Sequence, residues 1–124
     1  MAKALPPLGD LEHEVAQIIW AEGAMTAAAV RKRLPRPLKD ATVRTVLRRL
    51  EEKGYLGHTV EAGTFMYRAK ETREQIAVKA VKRIIDSFCD GSAEQMLVGL
   101  MKSALVKPSQ LRAIAAKMKS RAKS

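Results

Sequence analysis

Thr42, Arg44, Thr45 and Arg48 sit in the stretch DATVRTVLRRLEEKGYL, residues 40–56. Spaced at about 100° per residue along a helix, Val43, Val46, Leu47 and Leu50 fall in one narrow sector and must face a core. The far side carries Ala41, Thr45, Arg48 and Glu52, with Thr42 and Arg44 on its two edges. Small side chains let a helix backbone approach the floor of a major groove. Threonine bonds to a phosphate or a base, or touches a thymine methyl, and arginine bonds bidentately to guanine. Between Arg31 and Lys53 there are nine basic and three acidic residues, net +6. A basic face on a helix is more often mere solvation, so the charge alone decides little.

The elements that would position this helix are legible from periodicity. Leu11, Val15, Ile18 and Ile19 form one helical stripe, with Asp10 expected as its cap and Gly23 as its end. Thr26 is expected to cap a short second helix carrying Val30 and Leu34, which Pro35 and Pro37 terminate. Asp40 is expected to cap the third helix and Gly54 to end it. The period then changes: YLGHTVEAGTFMYRA holds two runs rich in β-branched and aromatic residues, joined by Glu61-Ala62-Gly63, which reads as a β-hairpin. Thr64 stands near its tip within reach of a phosphate, and Arg68 lies further along. Tyr55, Phe65 and Tyr67 read as core or strand packing. Three short helices and a hairpin have the order of a winged helix-turn-helix, although a small α+β domain without a nucleic-acid role has the same order.

No strand signal follows residue 70. Ala77, Val81, Ile84, Ile85 and Phe88 mark a fourth helix, which Gly91 breaks. Met96, Leu97, Leu100, Met101 and Leu105 mark a fifth. Pro108 opens a sixth with Leu111, Ile114, Ala115 and Met118, and its basic end is expected to fray. About 50 residues of amphipathic helix bury little against themselves. A second copy of the chain is the favoured partner over a three-helix subdomain folded back on the first part. The reading is therefore mainly α with a small β-hairpin: a winged helix-turn-helix domain over 1–70, then an α-helical dimerisation domain over 71–124. Lys39, Thr42, Arg44, Thr45, Arg48 and Thr64 are the DNA-binding candidates. The dimerisation candidates are Val81, Ile84, Ile85, Phe88, Met96, Leu97, Leu100, Leu111 and Ile114.

The bulk numbers agree. Of 124 residues, 47% are hydrophobic and 29% charged, which suits a globular chain, and the net charge of +10 favours a polyanionic partner. Aromatics at 4% argue against single-strand binding by stacking. One cysteine, Cys89, excludes an internal disulfide and suits a reducing compartment. It reads as packing rather than as a redox sensor. No signal peptide or membrane-spanning run is read, so the expected location is cytoplasmic, without direct membrane binding. His13 and His58 lack companions at metal-ligand spacing, and no phosphate loop or nucleophile triad appears. No cofactor, metal or catalytic site is expected. Two rivals remain beside a DNA reader: a protein-interaction adaptor, and an anionic-surface protein driven by the basic tail.

LEHEVAQIIW, TVRTVLRRLEEKGYL and FMYRA together resemble the penicillinase-repressor family. Leu8, Glu12 and Trp20 match its first pattern. Thr42, Val43, Thr45, Leu47, Arg49 and Leu50 match its recognition-helix signature, and Gly91-Ser92 falls where the family has Gly-Ser. The match spans roughly residues 8–118. The resemblance implies a winged-helix repressor that binds palindromic double-stranded operators as a homodimer through its C-terminal helices, with Thr42, Arg44 and Thr45 at contacting positions. Ala41 departs from members with lysine there. Better-known members, regulators of antibiotic resistance, are cleaved by a membrane-bound sensor metalloprotease at an Asn-Phe bond. The equivalent bond here is Gly99-Leu100, where neither side chain matches. The copper-responsive branch has a C-terminal Cys-x-Cys pair, which this chain lacks.

Overall fold

The computed structural model describes residues 5–122. Among them the elements run α1 (Asp10–Glu22), α2 (Ala27–Arg33), α3 (Asp40–Glu52), β1 (Leu56–Glu61), β2 (Thr64–Ala69), α4 (Arg73–Phe88), α5 (Ala93–Lys102) and α6 (Pro108–Ala122). The two strands pair antiparallel from Leu56 opposite Ala69 to Glu61 opposite Thr64. This is a winged helix-turn-helix followed by three further helices. The chain divides into two compact units between Ala80 and Val81, inside α4. The change of periodicity at residue 70 thus marks the approach to α4, whose first half belongs to the first unit.

The core of that unit comes from every element of the winged helix. Val15, Ala16 and Ile19 of α1 meet Val30 of α2, the four apolar residues of α3, and Tyr55, Leu56 and Tyr67. Ile76 from α4 and Trp20 from α1 pack against its rim, and the Trp20 indole N–H donates to the Glu71 carbonyl at 3.2 Å. Met25, between α1 and α2, belongs to no periodic stripe and so gives no sign of its role in the sequence. It is buried and exchanges two backbone hydrogen bonds with Tyr67, of 3.0 and 2.9 Å, so a one-residue bridge ties the helix-turn-helix to the wing.

Local chemistry corrects several expected boundaries. Asp10 is the first residue of α1 and Gly9 its cap, because Glu12 reaches back to accept from the Gly9 amide at 2.7 Å. Likewise Lys39, not Asp40, caps α3; Asp40 begins the helix and favours its positive end. Thr26 does cap α2, accepting from the Ala29 amide at 3.2 Å. The hairpin loop is two residues rather than three, since Glu61 still pairs with Thr64. Ala62 and Gly63 both take positive φ, 52° and 76°, the hand that matches strand twist in a tight hairpin.

Glu12 is the one charged side chain among the buried residues described. Besides capping α1, its carboxylate lies 2.6 Å from Lys53 Nζ at the far end of α3, while that ammonium also donates to the Pro7 carbonyl. The Lys53 hydrogen bond, then the Gly9 amide, hold the Glu12 carboxyl below its ordinary value. Tyr55 closes the same corner by donating to the Pro6 carbonyl, and burial followed by the Glu12 charge raises its phenol.

In the second unit, Ser92 caps α5 by accepting from the Gln95 amide, and Pro108 opens α6 as expected. α6 stays helical through Ala122, past the point where fraying is expected; Lys123 and Ser124 lie outside the described residues. None of the described residues of this unit is buried: Val81, Ile84, Leu105 and Ile114 are exposed, and Phe88 is 82% exposed.

Glu12→Gln keeps the shape and removes the charge. Because the folded carboxyl titrates below its unfolded value of about 4.5, its pair contributes stability above that pH and loses it as the pH falls through the folded value. Urea unfolding should show the variant about 1–3 kcal/mol less stable at pH 7. The gap should close towards pH 3; an equal gap at both values would remove Glu12 as a charged lock.

Candidate nucleic-acid interface

Val43, Val46, Leu47 and Leu50 are all buried, and this fixes the rotation of α3. Ala41, Thr42, Arg44 and Arg48 are consequently exposed. Thr45 is only half-buried, and its hydroxyl donates to the Ala41 carbonyl at 2.9 Å, so towards a ligand it presents a methyl and an acceptor. Arg44 Nε lies 3.2 Å from Asp40 Oδ2 and Arg48 Nε 3.9 Å from Glu52 Oε1. Both pairs are exposed and one helical turn apart. Such pairs are worth a few tenths of a kcal/mol, so an anionic or hydrogen-bond-accepting ligand would displace them at little cost. Lys39, at the cap, is exposed.

Across from α3 stands the wing. Arg44 and Thr64 line one cleft of about 390 Å³ with Thr26, Ala28, Gly63 and Phe65. The structure thus brings together Arg44 and Thr64, and adds the start of α2, which the sequence marks only as a cap. The small residues of MTAAAV are the signal that could have placed it there. Phe65 is not core: it is exposed, and its ring stacks on His58 at 4.0 Å and 10°. His58 Nδ1 lies 2.6 Å from Glu51 Oε2 at the end of α3. Phe65, His58 and Glu51 therefore form a brace between wing and recognition helix. Tyr55 and Tyr67 are buried, as packing residues. Arg68 bonds to Glu61 at 2.7 Å and Thr59 at 3.1 Å on the outer face of the hairpin.

The model of the penicillinase repressor family matches residues 8–120. The chain belongs to that family. It is 28% identical over 104 residues to the penicillinase repressor of Bacillus licheniformis, covering 82% of this chain and 80% of the relative. A solution structure of the B. licheniformis BlaI monomeric form in complex with the blaP half-operator is 31% identical, covers 59% of this chain and 92% of that one, and has a TM-score of 0.50. The PcaV transcriptional regulator of Streptomyces coelicolor, 16% identical over 98% of this chain and 79% of its own, with a TM-score of 0.50, shares the fold. Membership makes the protein a transcriptional repressor, not an enzyme.

In this family member the net +6 of residues 31–53 is not all free for a ligand. Arg33 is held by Glu22, Arg36 by Glu14 and Lys53 by Glu12. Arg31 donates to the Leu38 carbonyl at 2.7 Å, bracing the turn between α2 and α3. The remaining residues of interest fall in the second unit or at its edge. Val81, Ile84 and Phe88 of α4 and Ile114 of α6 are exposed, whereas Ile85, Met96, Leu97, Leu100 and Leu111 are half-buried. Gly99 and Leu100 lie inside α5, and nothing stands within 4 Å of where a Gly99 Cβ would be. Cys89 is half-buried at the end of α4. His13 meets the edge of Trp20 at 6.4 Å. Among the described residues no three His, Cys, Asp or Glu side chains converge as metal ligands, and no helix is long and apolar enough to cross a membrane.

Removing the brace tests how the wing is held. His58→Ala should speed hydrogen exchange of the hairpin amides from Thr59 to Phe65, the stacking it removes being worth about 0.5–1.5 kcal/mol. Exchange in the middle of α3 should be unaffected. Unchanged hairpin protection would show that the Met25 bridge holds the wing alone.

Proposed function

We propose that the protein represses transcription by binding palindromic operator DNA as a homodimer in the cytoplasm. The observation that carries this is the split face of α3: four buried aliphatic residues on one side, and Thr42, Arg44 and Arg48 on the other, beside a wing that brings Thr64 to Arg44. The related BlaI bound to its half-operator supports the same use of this unit. Arg44 reads a base edge, Thr42 and Thr45 contribute methyl and hydroxyl contacts, and Lys39, Arg48 and Thr64 hold phosphates. Ala41 packs by its methyl where some relatives offer lysine.

Dimerisation rests on the second unit. Its helices carry apolar stripes and no buried residue. Exposed Val81, Ile84, Phe88 and Ile114, with half-buried Ile85, Met96, Leu97, Leu100 and Leu111, form a surface that a second copy would cover. Two joined recognition helices then bind two half-sites with the advantage of tethering. Relief by a membrane-bound sensor metalloprotease would act through this advantage. At Gly99-Leu100 the backbone is helical, so α5 must open locally before a protease can seat the bond in extended form.

Selection from a random duplex pool at near-physiological salt should enrich a palindrome. Arg44→Ala should weaken its binding about 5- to 150-fold, equivalent to about 1–3 kcal/mol, and relax one position in each half-site. Absence of enrichment, with binding that only fades as salt rises, would favour an adaptor that does not read sequence. Ile84→Asp with Phe88→Asp should sediment as a folded monomer and bind the palindrome at least about a hundredfold more weakly. A dimer that survives both changes would place the interface elsewhere.

A further inference from the structure

The charge of this protein is distributed against expectation. Residues 81–124 hold nine basic and three acidic residues, net +6, whereas residues 1–80 hold fourteen and ten, net +4. From Gln95 to Ser124 there are seven basic residues and no acidic one. In the winged-helix unit seven of the thirteen described cations face carboxylates: Arg33, Arg36, Arg44, Arg48, Lys53, Arg68 and Lys79 each have an acidic partner. For Lys107, Arg112, Lys117 and Lys119 the segment holds no Asp or Glu within reach along the helix. Lys107, Arg112, Lys117 and Lys119 are exposed. By helical angle Arg112 and Lys119 share one edge of the stripe formed by Leu111, Ile114, Ala115 and Met118, and Lys117 lies along the other.

We propose that α6 and the residue before it form a second, sequence-independent contact with the phosphate backbone of duplex DNA. The proposal rests on the DNA-binding reading of the first unit, which places a polyphosphate on the same chain at high effective concentration. Like charges crowded on one segment repel one another, and a phosphate lattice both relieves that repulsion and releases counterions. An anionic bilayer fits less well. The stripe of α6 has three large apolar side chains and no aromatic residue, whereas helices that lie in a membrane interface bury a broad face rich in Trp, Phe and Leu. With the stripe covered by a second copy, the flanking cations stay available, and dimerisation doubles their number.

The test compares the full-length protein with the variant Lys107→Gln, Arg112→Gln, Lys117→Gln and Lys119→Gln on 40-base-pair duplexes, one selected and one scrambled. The slope of log affinity against log salt should become shallower by about 0.9 for each phosphate that the variant no longer neutralises, on both duplexes alike. In the unaltered protein, bound duplex should protect Lys117 and Lys119 from chemical acetylation. Equal slopes for the two proteins, or acetylation unaffected by DNA, would overturn the proposal. So would retention of the unaltered protein on phosphatidylserine vesicles with no change of slope, which would assign the surface to membranes. If neither protein prefers the selected duplex, the sequence-reading role of α3 fails instead, while the difference in slope still decides the role of α6.

Discussion

Burial of Val43, Val46, Leu47 and Leu50 is the constraint that governs the interface. A helix of thirteen residues resting on one apolar sector has a single rotation about its axis that satisfies the core. Any other rotation strands aliphatic side chains in water at about 1.5–3 kcal/mol each. That penalty, rather than any property of Thr42 or Arg44, is what turns those two residues outward. The core partners of these four are Val15 and Ile19 of α1, Val30 of α2, and Leu56 and Tyr67 of the wing, so α3 is held by both the helical pair and the root of the wing.

Polar contacts then fix what burial leaves loose. Glu12 joins the start of α1 to the end of α3 through Lys53, and His58 joins the wing to the same end of α3 through Glu51. The outward face is treated differently. Arg44 and Arg48 keep only exposed, one-turn partners, which hold the guanidinium groups without committing them. A braced C-terminal end and lightly tethered arginines on the outward face suit a helix that must be aimed accurately yet leave its cations open to a new partner.

The second unit obeys different physics. Its helices are capped by Ser92 and opened by Pro108, so they are locally well specified. Their apolar side chains nonetheless stay open, because three helices of ten to sixteen residues cannot enclose one another's stripes. The charge of this unit is also strongly one-signed, in contrast to the paired surface of the winged helix.

Periodicity and Gly and Pro punctuation were enough to specify the six helices and the hairpin, the sector of α3 that is buried, and the outward-facing residues Thr42, Arg44 and Arg48. These signals act over a few neighbouring residues, so the chain carries them without its fold. Two caps were misplaced on that basis, since Glu12 and Asp40 serve their helices from inside the first turn. The hairpin loop was read one residue too long, since strand pairing at Glu61 depends on the partner strand. Other features exist only once the elements pack. Met25 bridges to Tyr67, and Arg44 shares a cleft with Thr64 and Thr26. These contacts join residues far apart in the chain, and no periodicity within one element records which side chains another element will bring to meet it.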